Sequence, residues 1–181
     1  GCFQQGQDRR VKILVVGGGG REHALCWAIR RERPDAVIFC APGNAGTGSV
    51  ATNVPIAATA IADLVDFAGK EAVDLVVVGP EAPLAAGLAD RLRDRKVTVF
   101  GPSAAAAQLE SSKAFAKDVM VSAGVPTATS MPYADLPGAL KYIEAHREPL
   151  VVKADGLAAG KGAVVCATRA EARAAAQAML G

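Results

Sequence analysis

Aromatic side chains are scarce in this sequence. Five Phe, two Tyr and one Trp make up 4% of 181 residues, although 51% of the chain is apolar. A core poor in aromatics but rich in alanine and valine suits helices packed closely on parallel strands. An excess of one charge is also lacking: 20 basic residues face 18 acidic ones, interspersed, so no basic run marks a nucleic-acid surface. The four cysteines (Cys2, Cys26, Cys40, Cys166) are scattered, without CxxC pairs or a histidine cluster beside them. That spacing argues against a zinc site or a disulfide framework and for a reduced, cytoplasmic setting. Every apolar run is cut by Pro, Glu or Asp well short of the ~20 residues a membrane span needs. The leader "GCFQQGQDRR", residues 1–10, has no apolar segment of a signal peptide and no Ser or Thr at Gln5 for myristoylation. It reads as a disordered extension or an expression remnant.

What is present is an alternation of short β-rich runs with helical patterns. Val11 to Val16 is a buried strand running into four glycines, and Arg21 to about Arg31 is a helix with Leu25, Ala28 and Ile29 on one face. Ala36 to Cys40 is the next strand, followed by the polar loop "APGNAGTGS". Ile61, Leu64, Val65 and Ala68 stand at i, i+3, i+4 and i+7, an amphipathic helix. "VDLVVVGPEAP" is a strand ending in a turn, with a helix through Leu84, Leu88 and Leu92 behind it, and "KVTVFGPS" is a further strand. This βαβα order predicts an α/β fold with a doubly wound parallel sheet over residues 11–105.

From residue 106 the pattern changes. "AAAAQLESSKAFAKDVMVSAG" predicts two helical stretches closed by Gly124 and Pro126. A strand over Thr127–Met131 and a helix over Pro137–His146 follow. Two strands, Leu150–Ala154 and Ala163–Cys166, flank a small-residue loop, and a capping box of Thr168 and Glu171 opens a last helix. These are too few strands to close a second sheet.

A strand–glycine–helix turn presents unpaired N–H groups and a partial positive charge to an anion. The dinucleotide fingerprint requires a third glycine and an acidic end to the second strand. Here the third position is Glu22, and the second strand ends Phe39-Cys40-Ala41. A dehydrogenase site therefore fails two requirements, and a smaller phosphate remains. Ligands of open parallel sheets sit beyond the carboxyl ends of the strands. Three such ends carry glycine-and-polar turns, "GGGGREH", "PGNAGT" and "GPEAP", which together describe a pocket for a phosphorylated, hydroxyl-rich small molecule. Arg21 is placed to pair a phosphate and Glu81 to bind hydroxyls or an amine. A second glycine loop, "VVKADGLAAGKG", fails the Walker spacing, because Gly156 to Gly160 is too short and Gly162 follows Lys161. It reads as a glycine hairpin that can lie over phosphates, with Lys153 on the strand before it.

With both loops in view, the sequence resembles the phosphoribosylamine–glycine ligase (glycinamide ribonucleotide synthetase) family of ATP-grasp enzymes. "GGGGREHAL", "APGNAGT", "VVGPEAPL", "FGPSAAAAQLESSKAFAKD", "GVPTA" and "VVKADGLAAGKGAVV" carry the likeness, in order, from Val11 to the end. The resemblance implies a Rossmann-like domain over 11–105 that binds 5-phosphoribosylamine through Gly19, Gly20, Arg21, Glu22, Asn44, Thr47 and Glu81. It implies the start of an incomplete ATP-grasp domain over 106–181, with ATP contacted by Lys113, Lys153, Asp155, Gly156, Gly160, Lys161 and Gly162. The implied reaction joins glycine to phosphoribosylamine through a glycyl phosphate, with ATP converted to ADP and phosphate, in purine biosynthesis. The ligands for Mg2+ (or Mn2+), the catalytic groups and the glycine pocket are expected beyond Gly181, so the 181 residues read as a fragment unable to turn over alone. Small molecules, and neither nucleic acid nor membrane, are the expected partners. The competing readings are a non-catalytic sugar-phosphate or nucleotide-binding module and another ATP-grasp purine enzyme such as a carboxylase.

Overall fold

A computed structural model describes residues 9–156 and 162–181. The chain divides into two compact units, residues 1–107 and 108–181.

The first unit is a five-stranded sheet, every pairing parallel, in the order β3-β2-β1-β4-β5. Its strands are β1 (Lys12–Gly17), β2 (Val37–Pro42), β3 (Thr52–Asn53), β4 (Leu75–Val78) and β5 (Thr98–Phe100). The helices are α1 (Gly20–Glu32), α2 (Ile61–Lys70), α3 (Glu81–Ala85) and α4 (Leu88–Asp94), with α5 (Ala104–Ser111) at its end. A strand in a doubly wound sheet is buried on both faces, so alternate residues feed two cores. β1 shows this directly. Leu14 and Val16 join Leu64, Val76, Leu84, Leu88 and Leu92 in one cluster, whereas Ile13 and Val15 join Cys26, Ile38, Cys40 and Val77 in the other.

Two first-unit expectations shift in detail. The buried stripe of α1 runs through Glu22 and Cys26, with Leu25 and Ile29 only half-buried; Ala28 lies off it. The helix expected through Leu84, Leu88 and Leu92 is two helices, because Gly87 breaks it with φ +83°. All three leucines are nevertheless buried, since the break preserves their facing.

The second unit contains α6 (Lys113–Ser122), α7 (Leu136–Ala145), the antiparallel strands β6 (Leu150–Lys153) and β7 (Ala163–Cys166), and α8 (Arg169–Leu180). Ile143, Cys166, Ala172, Ala175 and Ala176 form its buried cluster, with Leu150 and Val152 packed against it. Thr127–Met131 is not a strand. Its residues are exposed and pair with no ladder; the Lys117 ammonium bonds the Thr127 hydroxyl and the Ala128 carbonyl there. At α8 the Thr168 hydroxyl accepts from the Glu171 N–H as expected, but the Glu171 carboxylate reaches back to the Ala167 N–H and not to that of Thr168.

Candidate functional site

Because all five strands of the first unit run the same way, their carboxyl ends share one edge. The turns that leave it are tied together by hydrogen bonds. The Gly43 N–H donates to the Gly17 carbonyl at 3.1 Å and the Gly79 N–H to Val16 at 3.0 Å. The Asn44 amide donates to the carbonyls of Gly18 (3.0 Å) and Gly19 (3.3 Å), bracing the second loop against the first. "GGGGREH", "PGNAGT" and "GPEAP" are therefore one surface.

The glycine turn is shaped around a buried carboxylate. Glu22 is 3% exposed. Its Oε2 accepts from the Gly19 N–H at 2.7 Å, the return half of a capping box, and its Oε1 accepts from Arg21 Nε at 2.9 Å. A Cβ on Gly17 would stand 2.6 Å from the Glu22 side chain and one on Gly79 would stand 2.0 Å from Oε1. Gly17 also holds φ +128°. By contrast a Cβ on Gly20 would meet nothing within 4 Å, so open space lies beside the first turn of α1.

Arg21 leans from that turn towards Glu81 at the start of α3, Nη1 to Oε1 3.3 Å, with both side chains about half exposed. Hydrogen bonding to Glu22 is the main reason the Arg21 pKa rises; desolvation opposes it, and the Glu81 hydrogen bond adds a smaller upward effect. The Glu81 carboxyl is held below the usual carboxylate range, first by its own backbone N–H and then by Arg21.

Of the seven residues expected at the sugar-phosphate site, Gly19, Gly20, Arg21, Asn44 and Glu81 lie on this surface. Glu22 and Thr47 are turned inward. Thr47 is fully buried; its hydroxyl accepts from the Asn44 N–H and bonds Asn53 Oδ1 at 2.7 Å. Both therefore reach a ligand only through the groups they hold. Asn53 escaped the sequence reading: its amide donates to the Asn44 carbonyl at 2.7 Å and completes the brace. His23 packs against Gly46, where a Cβ would come within 2.6 Å of Nδ1. Only loop pairing brings these residues together, and no local pattern signals it.

In the second unit, Asp155 sits at the amino end of α6. It accepts from the Lys113 N–H (2.5 Å), the Ala114 N–H (3.3 Å) and the Ser112 hydroxyl (3.2 Å). Its carboxylate is thus engaged in capping a helix. The Lys113 ammonium donates to the Gly156 carbonyl at 2.8 Å. Lys153 stands exposed on the face of the β6–β7 ladder opposite the buried cluster, beside Val151 and, across the ladder, Val165 (77% exposed). Gly162 is buried next to β7. Gly160 and Lys161 lie outside the described residues.

Burial works to raise the Asp155 pKa, but the N–H groups of Lys113, Ala114 and Gly156 with the Ser112 hydroxyl outweigh it, and the net shift is downward. A depressed folded-state pKa stabilises above the unfolded value of about 3.9 and is lost as pH falls through the folded one. Asp155→Ala should cost the second unit about 1 kcal/mol at pH 7. The gap to the parent chain should shrink below about pH 4 as the parent carboxylate protonates. Urea titrations at pH 7 and pH 3 read both; a gap of equal size at the two pH values would show that the carboxylate charge contributes nothing.

The phosphoribosylglycinamide synthetase N-domain model matches residues 11–110, and the ATP-grasp (A) domain model of the same enzyme matches 111–181. The chain belongs to the phosphoribosylglycinamide synthetase family. Within that family it is 49% identical over 172 residues to the phosphoribosylamine–glycine ligase of Escherichia coli O157:H7, and 50% over 173 residues to that of Allochromatium vinosum. Each alignment covers 94% of this chain and 40% of the relative. The chain thus spans about 40% of the length of these synthetases. The crystal structure of the Thermotoga maritima phosphoribosylamine–glycine ligase superposes with a TM-score of 0.71 at 31% identity, over 91% of this chain and 38% of that one. The fold is shared more widely: the Aspergillus clavatus carboxyaminoimidazole ribonucleotide synthase, solved with ATP, reaches a TM-score of 0.73 at 19% identity, over 94% of this chain and 44% of its own. Among the described residues no helix is long and apolar enough to cross a membrane.

Proposed function

We propose that this chain supplies the substrate-binding domain (11–105) and the opening of the ATP-grasp domain (106–181) of a cytoplasmic phosphoribosylamine–glycine ligase. The whole enzyme joins glycine to 5-phosphoribosylamine, giving glycinamide ribonucleotide, ADP and phosphate. The observation that carries this reading is the convergence of a helix amino end, Arg21, Asn44 and Glu81 on open space at one sheet edge. The Gly19 N–H is held by Glu22, so a phosphate takes the first-turn N–H groups at Gly20 and Arg21 and the Arg21 guanidinium. A carboxylate such as Glu81 accepts hydroxyls or an ammonium, so the sugar and its amine are read by a separate group.

The second unit fits the triphosphate of ATP in charge. Lys113 offers an ammonium beside Gly156 and Lys153 another at the end of β6, and the exposed valines beside Lys153 offer an apolar surface for a base. When bound with a divalent cation, ATP supplies the phosphoryl group that turns a poor electrophile, the glycine carboxylate, into a glycyl phosphate. The role of these lysines is to offset charge on the phosphates. Asp155 acts by holding Ser112, Lys113 and Ala114 in place at the amino end of α6.

Calorimetry on the 181-residue chain tests the reading. Ribose 5-phosphate should bind and NAD should not, and the chain by itself should form no glycinamide ribonucleotide from ATP, glycine and phosphoribosylamine. Binding of NAD without ribose 5-phosphate would sink the reading. The runner-up is a non-catalytic sugar-phosphate-binding module, which the same ligands would fit; a chain extended to the length of its relatives that still fails to turn over would favour it.

A further inference from the structure

Arg21 is held between two carboxylates that differ in kind. On the inner side Glu22 is buried and its contact with Nε is 2.9 Å; on the outer side Glu81 is 45% exposed and its contact with Nη1 is 3.3 Å. The inner contact is shielded from water and anchored by the Gly19 N–H. The outer one is a half-exposed surface pair, of the sort that contributes little and yields to competition. Left as it stands, the trio carries a net charge of −1, which repels a phosphate from the helix end that should receive it.

Resting on the sugar-phosphate reading above, we propose that Arg21 exchanges Nη1 from Glu81 to the ligand phosphate, and that this exchange frees Glu81 to read the sugar. Nε stays on Glu22 throughout, so Arg21 pivots without leaving the site. The freed Glu81 carboxylate keeps its own backbone N–H and gains hydroxyls or an amine from the ligand. Inorganic phosphate triggers the exchange but returns nothing to Glu81, and ribose cannot trigger it. Glu81 therefore acts as a specificity residue that favours a molecule with both parts.

Titration calorimetry with inorganic phosphate, ribose and ribose 5-phosphate tests this on the full 181-residue chain and on Glu81→Ala and Glu81→Gln. In the parent chain ribose 5-phosphate should bind at least ~10-fold more tightly than phosphate, with ribose not binding. Glu81→Ala should raise phosphate affinity about 3-fold, by removing the competitor, and lower ribose 5-phosphate affinity about 10-fold. Glu81→Gln should bind phosphate as tightly as Glu81→Ala while keeping most of its affinity for ribose 5-phosphate, because a carboxamide oxygen still accepts hydroxyls. If both variants bind phosphate no better than the parent chain, the exchange is overturned while the sugar-phosphate site stands. If the parent chain binds neither phosphate nor ribose 5-phosphate, the site and the exchange fall together.

Discussion

Gly17→Ala should lower the unfolding free energy of the first unit by about 3 kcal/mol. Two costs add. At φ +128° an L side chain sits outside its comfortable backbone regions, a penalty of about 1–2 kcal/mol. The new methyl also lands 2.6 Å from the Glu22 side chain, which is buried and already bonded at both oxygens, so the clash resembles overpacking at about 1–3 kcal/mol. For a unit of this size the melting temperature should fall by roughly 12–20 °C. Gly20→Ala is the matched control. Its Cβ meets nothing within 4 Å and its position is the first of α1, so alanine should leave stability unchanged or raise it by up to about 1 kcal/mol. Its ribose 5-phosphate affinity should drop, because the methyl occupies the space assigned to the phosphate. Equal melting temperatures for Gly17→Ala and the parent chain would mean that the turn relaxes and that Glu22 is not fixed there.

The second large effect belongs to Glu22. Truncation to alanine removes the acceptor of the Gly19 N–H, frees Arg21 and leaves a void between the ends of β1 and β4. The expected loss is about 2–3 kcal/mol, less than for a fully buried ion pair because Arg21 is 55% exposed. Glu22→Gln separates stability from binding. A Gln oxygen still accepts from Gly19, so stability should fall by only about 1 kcal/mol. Its NH2 then faces Arg21 Nε, donor against donor, and the guanidinium loses its anchor. Ribose 5-phosphate affinity should fall about 10-fold with the fold intact. Chemical denaturation and calorimetry on the same two variants decide it. If Glu22→Gln binds ribose 5-phosphate as the parent chain does, Arg21 needs no anchor at Nε.

Local regularity explains what was legible in advance. Strands buried on both faces are near-continuous runs of Val, Ile and Leu, and Ile61, Leu64, Val65 and Ala68 repeat at helical spacing, so β1, β4 and α2 announced themselves. The replacement of a third glycine by Glu22 was visible too, and it removed the dinucleotide reading. Its consequence was not visible, since whether a glutamate beside a glycine turn faces solvent or fills the turn depends on the strand next to it. Here Gly79, more than fifty residues on, leaves the room that Glu22 occupies. Thr127–Met131 failed for the opposite reason: its composition suits a strand, but a strand exists only where another edge accepts its hydrogen bonds.

By itself, then, the sequence determined the parallel α/β order, the glycine turn that opens α1 and the family, because each is written in contiguous residues. Tertiary structure alone decided the division of labour among the polar groups. It turned Glu22 and Thr47 inward as braces, set Arg21 between two carboxylates of unequal exposure, and gave Asp155 to the amino end of α6. Those assignments depend on which backbone N–H or guanidinium lies within hydrogen-bonding reach of each oxygen. That reach is fixed only when segments distant in sequence pack against one another.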